Sequence, residues 1–358
     1  MLTGNKGEWS EIYALFKLLG DTQIFAGDPD LKKIEDLFYP IIKIIRNERG
    51  KNFEYELNGD IVIIAGKNGI LRIPVEKFKT QASALLSKIK EAKGAFSIPD
   101  TESFMKEVSC NSIKAKSSLK TDIRIVIHDI KINQSSELGF SIKSQLGSEA
   151  TLLNAGKTTN FVYSIKDLSL SKSQIDKINK IESKSKIKER VEEIKKLGGE
   201  LIFENLELPI FANNLVLIDS LLPNILAEIV KIFFSSPFNS IEELTNVIKI
   251  NNPSGYDTKQ SHPFYEYKIK RFLTDVALGM TPSKVWQGIY DASGGYLIVK
   301  ENGEVLCYHI YNRNQFEDYL FKNTKLETAS SSKHDFGKIY KEGKNFFFKL
   351  NLQIRFKN

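Results

Sequence analysis

Cysteine is scarce: the 358 residues hold two, Cys110 and Cys307. Two distant thiols form no metal-ligand spacing and no disulfide framework, which suits a reducing cytoplasm as the expected compartment. Histidine is thin as well, with His128, His262, His309 and His334 scattered singly, so a zinc site is not expected. No apolar run reaches the roughly 18 residues of a membrane span, and no membrane partner is expected. The opening MLTGNKGEWSEIY has neither the basic nor the apolar region of a signal peptide. Material for a core is plentiful: 41% hydrophobic and 11% aromatic residues exclude wholesale disorder. The length suits two or three domains, or one enlarged domain. Lysine and arginine (51) exceed aspartate and glutamate (44), for a net charge of +7. That balance is compatible with a polyanionic partner, but a lysine-rich composition alone produces the same excess.

Hydrophobic spacing predicts a helix over 7–19, where Ile12, Leu15, Phe16 and Leu19 recur at helical intervals, and a second over 29–48 followed by Gly50. The turn pairs Asn58-Gly59 and Asn68-Gly69 between apolar runs predict a three-stranded meander. Helices are expected near 75–92 and 100–109. The β-branched run KTDIRIVIHDIKIN and the stretch SELGFSIKSQLG then read as an antiparallel strand pair. Residues 166–197 are charged with alternating sign and predict one or two solvated helices stopped at Gly198-Gly199, with DNA contact as the alternative. An apolar helix over 213–234, a loop over 251–263 and a helix over 264–278 follow. A hairpin around Asn302-Gly303 and two last strands complete the chain. The expected division is 1–165, 166–255 and 256–358, with the option that all three pack as one unit.

Wound at about 100° per residue, the first helix places Glu11 inside its apolar stripe. A carboxylate facing the interior is costly unless it meets a cation or a metal. The alternative is that Glu11, in the first turn, favours the helix dipole and reaches water. In the strand 136–147, Phe140, Ile142 and Leu146 share one face while Ser141, Lys143 and Gln145 share the other. That polar face is either solvated or part of a site. Asp122 opens the preceding strand, and Asp129 lies further along it. With the connection centred near residue 135, Asp129 is expected opposite Ser141. An acid and a lysine on neighbouring strands can serve phosphodiester hydrolysis: the acid holds a hard divalent cation, and the lysine orients water and offsets negative charge. A second acid is normally wanted two residues before the lysine, and Ser141 stands there instead; Glu11 can supply the missing charge. Asp122 is favoured over Asp129, which shares its face with Ile123, Ile125 and Ile127.

This arrangement resembles the PD-(D/E)xK nuclease core of type II restriction endonucleases, in a variant with serine in place of the second acid. GNKGEWSEIYALFKLL, KTDIRI, GFSIKSQLG, TLLNAGKTTNF, YKIKRFLTDVALGMTPSKVW and GGYLIVKENGEVLCYH together resemble the HpaII family of restriction endonucleases, across most of the chain. The resemblance implies a Mg2+-dependent endonuclease cutting double-stranded DNA at the palindrome CCGG, leaving 5′-phosphate and 3′-hydroxyl ends. It implies Asp122 as the metal-binding aspartate, Lys143 as the lysine and Glu11, in Gly7-x-x-x-Glu11, as the helix-borne acid. No proline precedes Asp122; the literal Pro99-Asp100 lies at an expected helix start.

The expected fold is α/β: a mixed-sheet, restriction-endonuclease-like core built from the first helix and the strands around 120–165. Helical insertions and a β-rich C-terminal part would elaborate it. Gln145 is a candidate for touching the metal-bound water or a phosphate. Asn154, Thr158, Asn160, Arg313 and His334 are candidates for DNA contact, each with a structural reading beside the functional one. A cognate DNA methyltransferase is the implied functional partner, and a monomer and a homodimer both stay open. The rival functions are a sequence-specific DNA-binding protein without catalysis and an RNA-processing nuclease on the same core.

Overall fold

The computed structural model describes residues 1–48, 51–66, 69–114, 120–130 and 133–357. Helix α1 (Lys6–Asp21) begins with a reciprocal cap. The Asn5 side chain accepts from the Glu8 N–H at 3.0 Å, and the Glu8 carboxylate accepts from the Asn5 N–H at 2.9 Å. Strands β1 (Gln23–Gly27) and β2 (Lys33–Glu48) follow. The helix expected over 29–48 is therefore wrong. Ile41, Ile42, Ile44 and Ile45 are β-branched, and Pro40 cannot sit inside a helix without loss of a hydrogen bond and a clash. Pro40 instead marks where the strand changes partner, pairing with β1 before it and with β6 (Ile123–Asp129) after it.

Strands β3 (Lys51–Asn58), β4 (Ile61–Gly66) and β5 (Gly69–Pro74) form the expected antiparallel meander. Gly59 has the positive φ of +57° that its turn requires. Gly50 and Asn68 lie outside the described residues. The expected helices appear as α2 (Val75–Glu91) and α3 (Pro99–Glu107).

Strand β7 (Gln134–Ser144) pairs antiparallel with β6, with Ile123 opposite Phe140 and Asp129 opposite Gln134. Asp129 thus lies seven positions from its expected place opposite Ser141. This register sets Ile123 and Ile125 against Phe140 and Leu138 on the core face, and apolar matching of that kind specifies register strongly.

Beyond β8 (Thr151–Leu153) and β9 (Asn160–Lys166), the charged segment forms α4 (Lys172–Asn179) and α5 (Lys186–Lys196), followed by β10 (Glu200–Leu206). The single apolar helix expected over 213–234 is two, α6 (Pro209–Ile218) and α7 (Leu222–Ser235). Asp219 is extended between them and accepts from the Leu221 N–H. Helix α8 (Ile241–Asn251), which sequence reading missed, precedes the expected loop and α9 (Phe264–Leu278). The expected hairpin is β11 (Gly295–Val299) and β12 (Val305–His309). Then come α10 (Arg313–Lys322), β13 (Thr324–Leu326), α11 (Ser331–His334), β14 (Ile339–Glu342), β15 (Asn345–Asn351) and β16 (Ile354–Phe356). From residue 336 on there are three strands rather than the two expected.

Among the described residues the strands form three sheets. The largest is mixed, in the order β1-β12-β11-β7-β6-β2-β3-β4-β5, and β2 also pairs back to β1, so six strands close on themselves. The others are β10-β9-β15-β14 and β13-β16-β8. The expectation of a core from strands around 120–165 needs correction: β8 and β9 leave the large sheet, and β11 takes the place beside β7, in parallel. One apolar core lies between α1, α2 and the large sheet; the other unites α5 to α10 with the two smaller sheets.

Candidate active site

Along β7, Leu138 and Phe140 turn into the core beneath α1, and by alternation Ser141 and Lys143 face the other way. Gly139 is required where Thr121 crosses it, since a Cβ there would lie 2.8 Å from the Thr121 Oγ1. Thr121 leads directly to Asp122, whose backbone N–H donates to the Phe140 carbonyl at 2.9 Å.

Asp122 comes to the same face as Ser141 and Lys143. Its Oδ2 accepts from the Ser141 hydroxyl at 3.1 Å and from the Ile142 N–H at 2.8 Å. Ser141, standing where a second acid is usual, adds no charge and grips the aspartate instead. The two donors hold the carboxylate in place through Oδ2, and Oδ1 takes part in neither bond.

Lys143 is half-buried, its ammonium 5.3 Å from the ring centre of Tyr296, which pairs with Ser141 across β11. Burial pulls its pKa below the ordinary lysine value. The carboxylates of Asp122 and then Glu11 oppose that shift, and the Lys114 ammonium adds to it.

Glu11 is 9% exposed, within the apolar face of α1. It lines a cavity of about 990 Å³ together with Ile142, Lys143 and Ser144, and Lys93 and Lys114 contribute to the same wall. Two contacts fix α1 against β7 there. The Ser10 and Ser144 hydroxyls are 2.8 Å apart, and Gly147 packs so closely on the helix start that a Cβ would lie 3.3 Å from the Lys6 Cβ. The structure therefore brings Asp122, Ser141, Lys143 and Glu11 to one place.

It does not bring Asp129 there. Asp129 sits at the far end of β6, on the face of Ile123, Ile125 and Ile127, where its carboxylate acts on Tyr39 and His309. Gln145 follows the end of β7, half-buried, with its backbone N–H donating to Val299. Asn154 is exposed and Thr158 half-buried. Asn160 is fully buried, its amide donating to Glu207 at 2.6 Å and to the His334 carbonyl at 2.8 Å, so the expected DNA contact gives way to a structural role. Arg313 and His334 lie on α10 and α11 rather than in loops or strands; the Arg313 guanidinium bonds Glu317 at 2.6 Å.

Sequence reasoning missed four neighbours: Lys114, Lys120, Thr121 and Tyr296. Lys120 and Thr121 stand next to Asp122 in the chain, and that adjacency was an available signal. Tyr296 is 153 positions from Lys143 and no local pattern connects them. Among the described residues no group of three or more His, Cys, Asp or Glu side chains gathers as a metal site. Asp122 and Glu11 do offer the hard oxygen donors that a divalent cation takes, one or two carboxylates being enough when water and phosphate complete the shell.

Comparison with known proteins bears on the same residues. The family model described as HpaII restriction endonuclease matches residues 5–356. The type II restriction enzyme HpaII of Haemophilus parainfluenzae is 50% identical over 358 residues, covering 99% of this chain and 98% of that protein. No solved structure matches.

Proposed function

The chain belongs to the HpaII restriction endonuclease family, and from that premise we propose that it cleaves double-stranded DNA at CCGG with Mg2+, using Asp122, Glu11 and Lys143. It is a type II restriction endonuclease, a site-specific hydrolase of DNA phosphodiesters. The observation that carries the site is the convergence of Lys143 and Glu11 on one cavity, with Asp122 held beside Lys143 by Ser141.

Asp122 and Glu11 would hold the cation. When bound, Mg2+ supplies Lewis-acid polarisation of the scissile phosphate and a lowered pKa for water. Lys143 offsets the negative charge that develops on the phosphate as water attacks phosphorus. Its ammonium also orients the attacking water, whose proton passes to solvent as the new bond forms. The phosphorus–O3′ bond breaks as the new phosphorus–oxygen bond forms. The 3′ oxygen leaves as a hydroxyl with a proton from solvent, and the phosphate stays on the 5′ end. Ser141 keeps Asp122 aimed through its hydroxyl. A restriction-endonuclease-like core carrying this site, a cognate DNA methyltransferase as functional rather than bound partner, and a cytoplasmic location complete the reading. No helix among the described residues is long and apolar enough to cross a membrane.

The test is digestion of unmethylated plasmid with Mg2+ and with EDTA. Discrete fragments matching CCGG spacing are expected only with Mg2+; fragments matching another sequence would replace CCGG. Lys143→Ala should abolish cutting while binding, dominated by phosphate contacts, survives. Equal loss of both would remove Lys143 from the chemistry.

A further inference from the structure

We propose that residues 281–290, the connection between α9 and β11, read the DNA sequence, with Lys284 and Gln287 contacting base edges; this rests on the endonuclease reading above. The segment TPSKVWQGIY contains no acidic residue. It holds Val285 75% exposed and Ile289 64% exposed, beside exposed Lys284 and Gln287. The Lys284 ammonium enters no ion pair among the described residues.

Exposed aliphatic side chains are unremarkable on a loose loop, but this one is fastened. The buried Asn214 amide donates to the carbonyls of Thr281 (3.2 Å) and Lys284 (2.8 Å), and its oxygen accepts from the Trp286 N–H at 3.0 Å. The Trp286 indole N–H donates to Ile289 at 3.0 Å, and Gly279 leaves no room for a Cβ, which would lie 2.5 Å from the Ile289 carbonyl. A segment held this firmly presents its apolar and cationic side chains in advance. Their combination suits the floor of a DNA groove, where base edges offer acceptors, donors and apolar carbons between phosphates.

Its position relative to the chemistry is equally constrained. The Lys120 ammonium donates to the carbonyls of Val276 and Met280 at one foot of the segment, and the Thr121 hydroxyl donates to the Asp291 carbonyl at 2.6 Å at the other. Both feet are thus tied to the two residues that precede Asp122, so a base pair read by the segment has a set position relative to the scissile phosphate.

The experiment measures binding in Ca2+ to a CCGG duplex and to duplexes with one base pair changed, for wild type, Lys284→Ala and Gln287→Ala. Wild-type cleavage in Mg2+ is followed separately. Each variant should lose about 10- to 100-fold in binding to the CCGG duplex and less than about threefold to the others. Equal losses on all duplexes would reduce the segment to a phosphate contact, and unchanged discrimination would overturn the proposal while leaving the endonuclease reading intact. Wild type that discriminates and never cuts would overturn that reading instead. Val285→Asp with Ile289→Asp provides the third arm. A change of oligomeric state without loss of discrimination would make the surface a contact between copies and overturn the proposal.

Discussion

Glu11 lies almost wholly inside, among the apolar residues that seat α1, and a buried carboxylate destabilises a fold unless something compensates it. Glu11→Ala removes no packing anchor from that apolar face, so the variant should still fold, with a cooperative transition in thermal denaturation. Its cleavage should fall about a hundredfold or more, the scale of removing one electrostatic group from such a site, with a higher Mg2+ requirement. Glu8 is the control. It closes the cap at the start of α1, so Glu8→Ala should cost about 1 kcal/mol of stability with a smaller effect on cleavage. The reverse ranking would remove Glu11 from the proposed cation site.

His309 makes a separate prediction at the same scale. It is 1% exposed at the end of β12, its Nδ1 accepts from the Tyr311 N–H at 2.9 Å, and its Nε2 has no hydrogen-bond partner among the described residues. Burial pulls its pKa from 6.5 down to about 4, with Asp129 opposing. The unfolded chain then binds more protons than the folded one between those values. Stability is complete above pH 6.5, falls as pH drops toward 4 and levels below, with His309 contributing about 3 kcal/mol to the change. Denaturant unfolding across that range should show the slope in wild type and a shallower one in His309→Gln; identical slopes would refute the assignment.

Among the elements, β7 depends on what crosses it. Gly139 lets Thr121 pass directly over the strand. In Gly139→Ala, Thr121 must shift and take Asp122 with it. Misplacement by a fraction of an ångström to an ångström can cost about 10- to 100-fold in rate, so cleavage should drop by that order while DNA binding in Ca2+ stays near wild type. Loss of binding in step with cleavage would mean a general unfolding of the sheet edge. Element type was legible wherever one period ran unbroken, as in α1, the meander, α9 and the β11–β12 hairpin. It failed at β2, whose isoleucines fit a helical or an extended pattern equally well by spacing, because the strand serves two partners and buries its faces in turn.

For the whole molecule, the large sheet joins strands from opposite ends of the chain: β11 and β12, from 295–309, stand between β7 and β1. A chain ended at residue 255 would leave the strand that bears Lys143 with an unpaired edge, a template for aggregation. Such a fragment is expected to be insoluble or to lack a cooperative melting transition. A fragment 1–165 that folds and melts cooperatively would instead support an independent first domain. The net charge of +7 belongs to this scale too. It favours a steep loss of DNA affinity with added salt, whatever the sequence bound.

The sequence by itself determined the chemistry on offer. Alternation along 136–147 set Ser141 and Lys143 on one face and, with Asp129 among the isoleucines, pointed to Asp122 as the acid. The apolar stripe of the first helix included Glu11, and long family-like segments pointed to the nuclease class. These are local properties, governed by the two-residue period of strands and the 3.6-residue period of helices. Only the tertiary structure decided which of these residues meet. Register placed Asp122 rather than Asp129 beside Ser141. A strand from residue 295 onward, rather than one near 160, flanked Lys143 with Tyr296. Asn160 disappeared into a buried network with Glu207. Each depends on contacts between distant parts of the chain, set by the packing of whole faces, and no window of neighbouring residues contains that information.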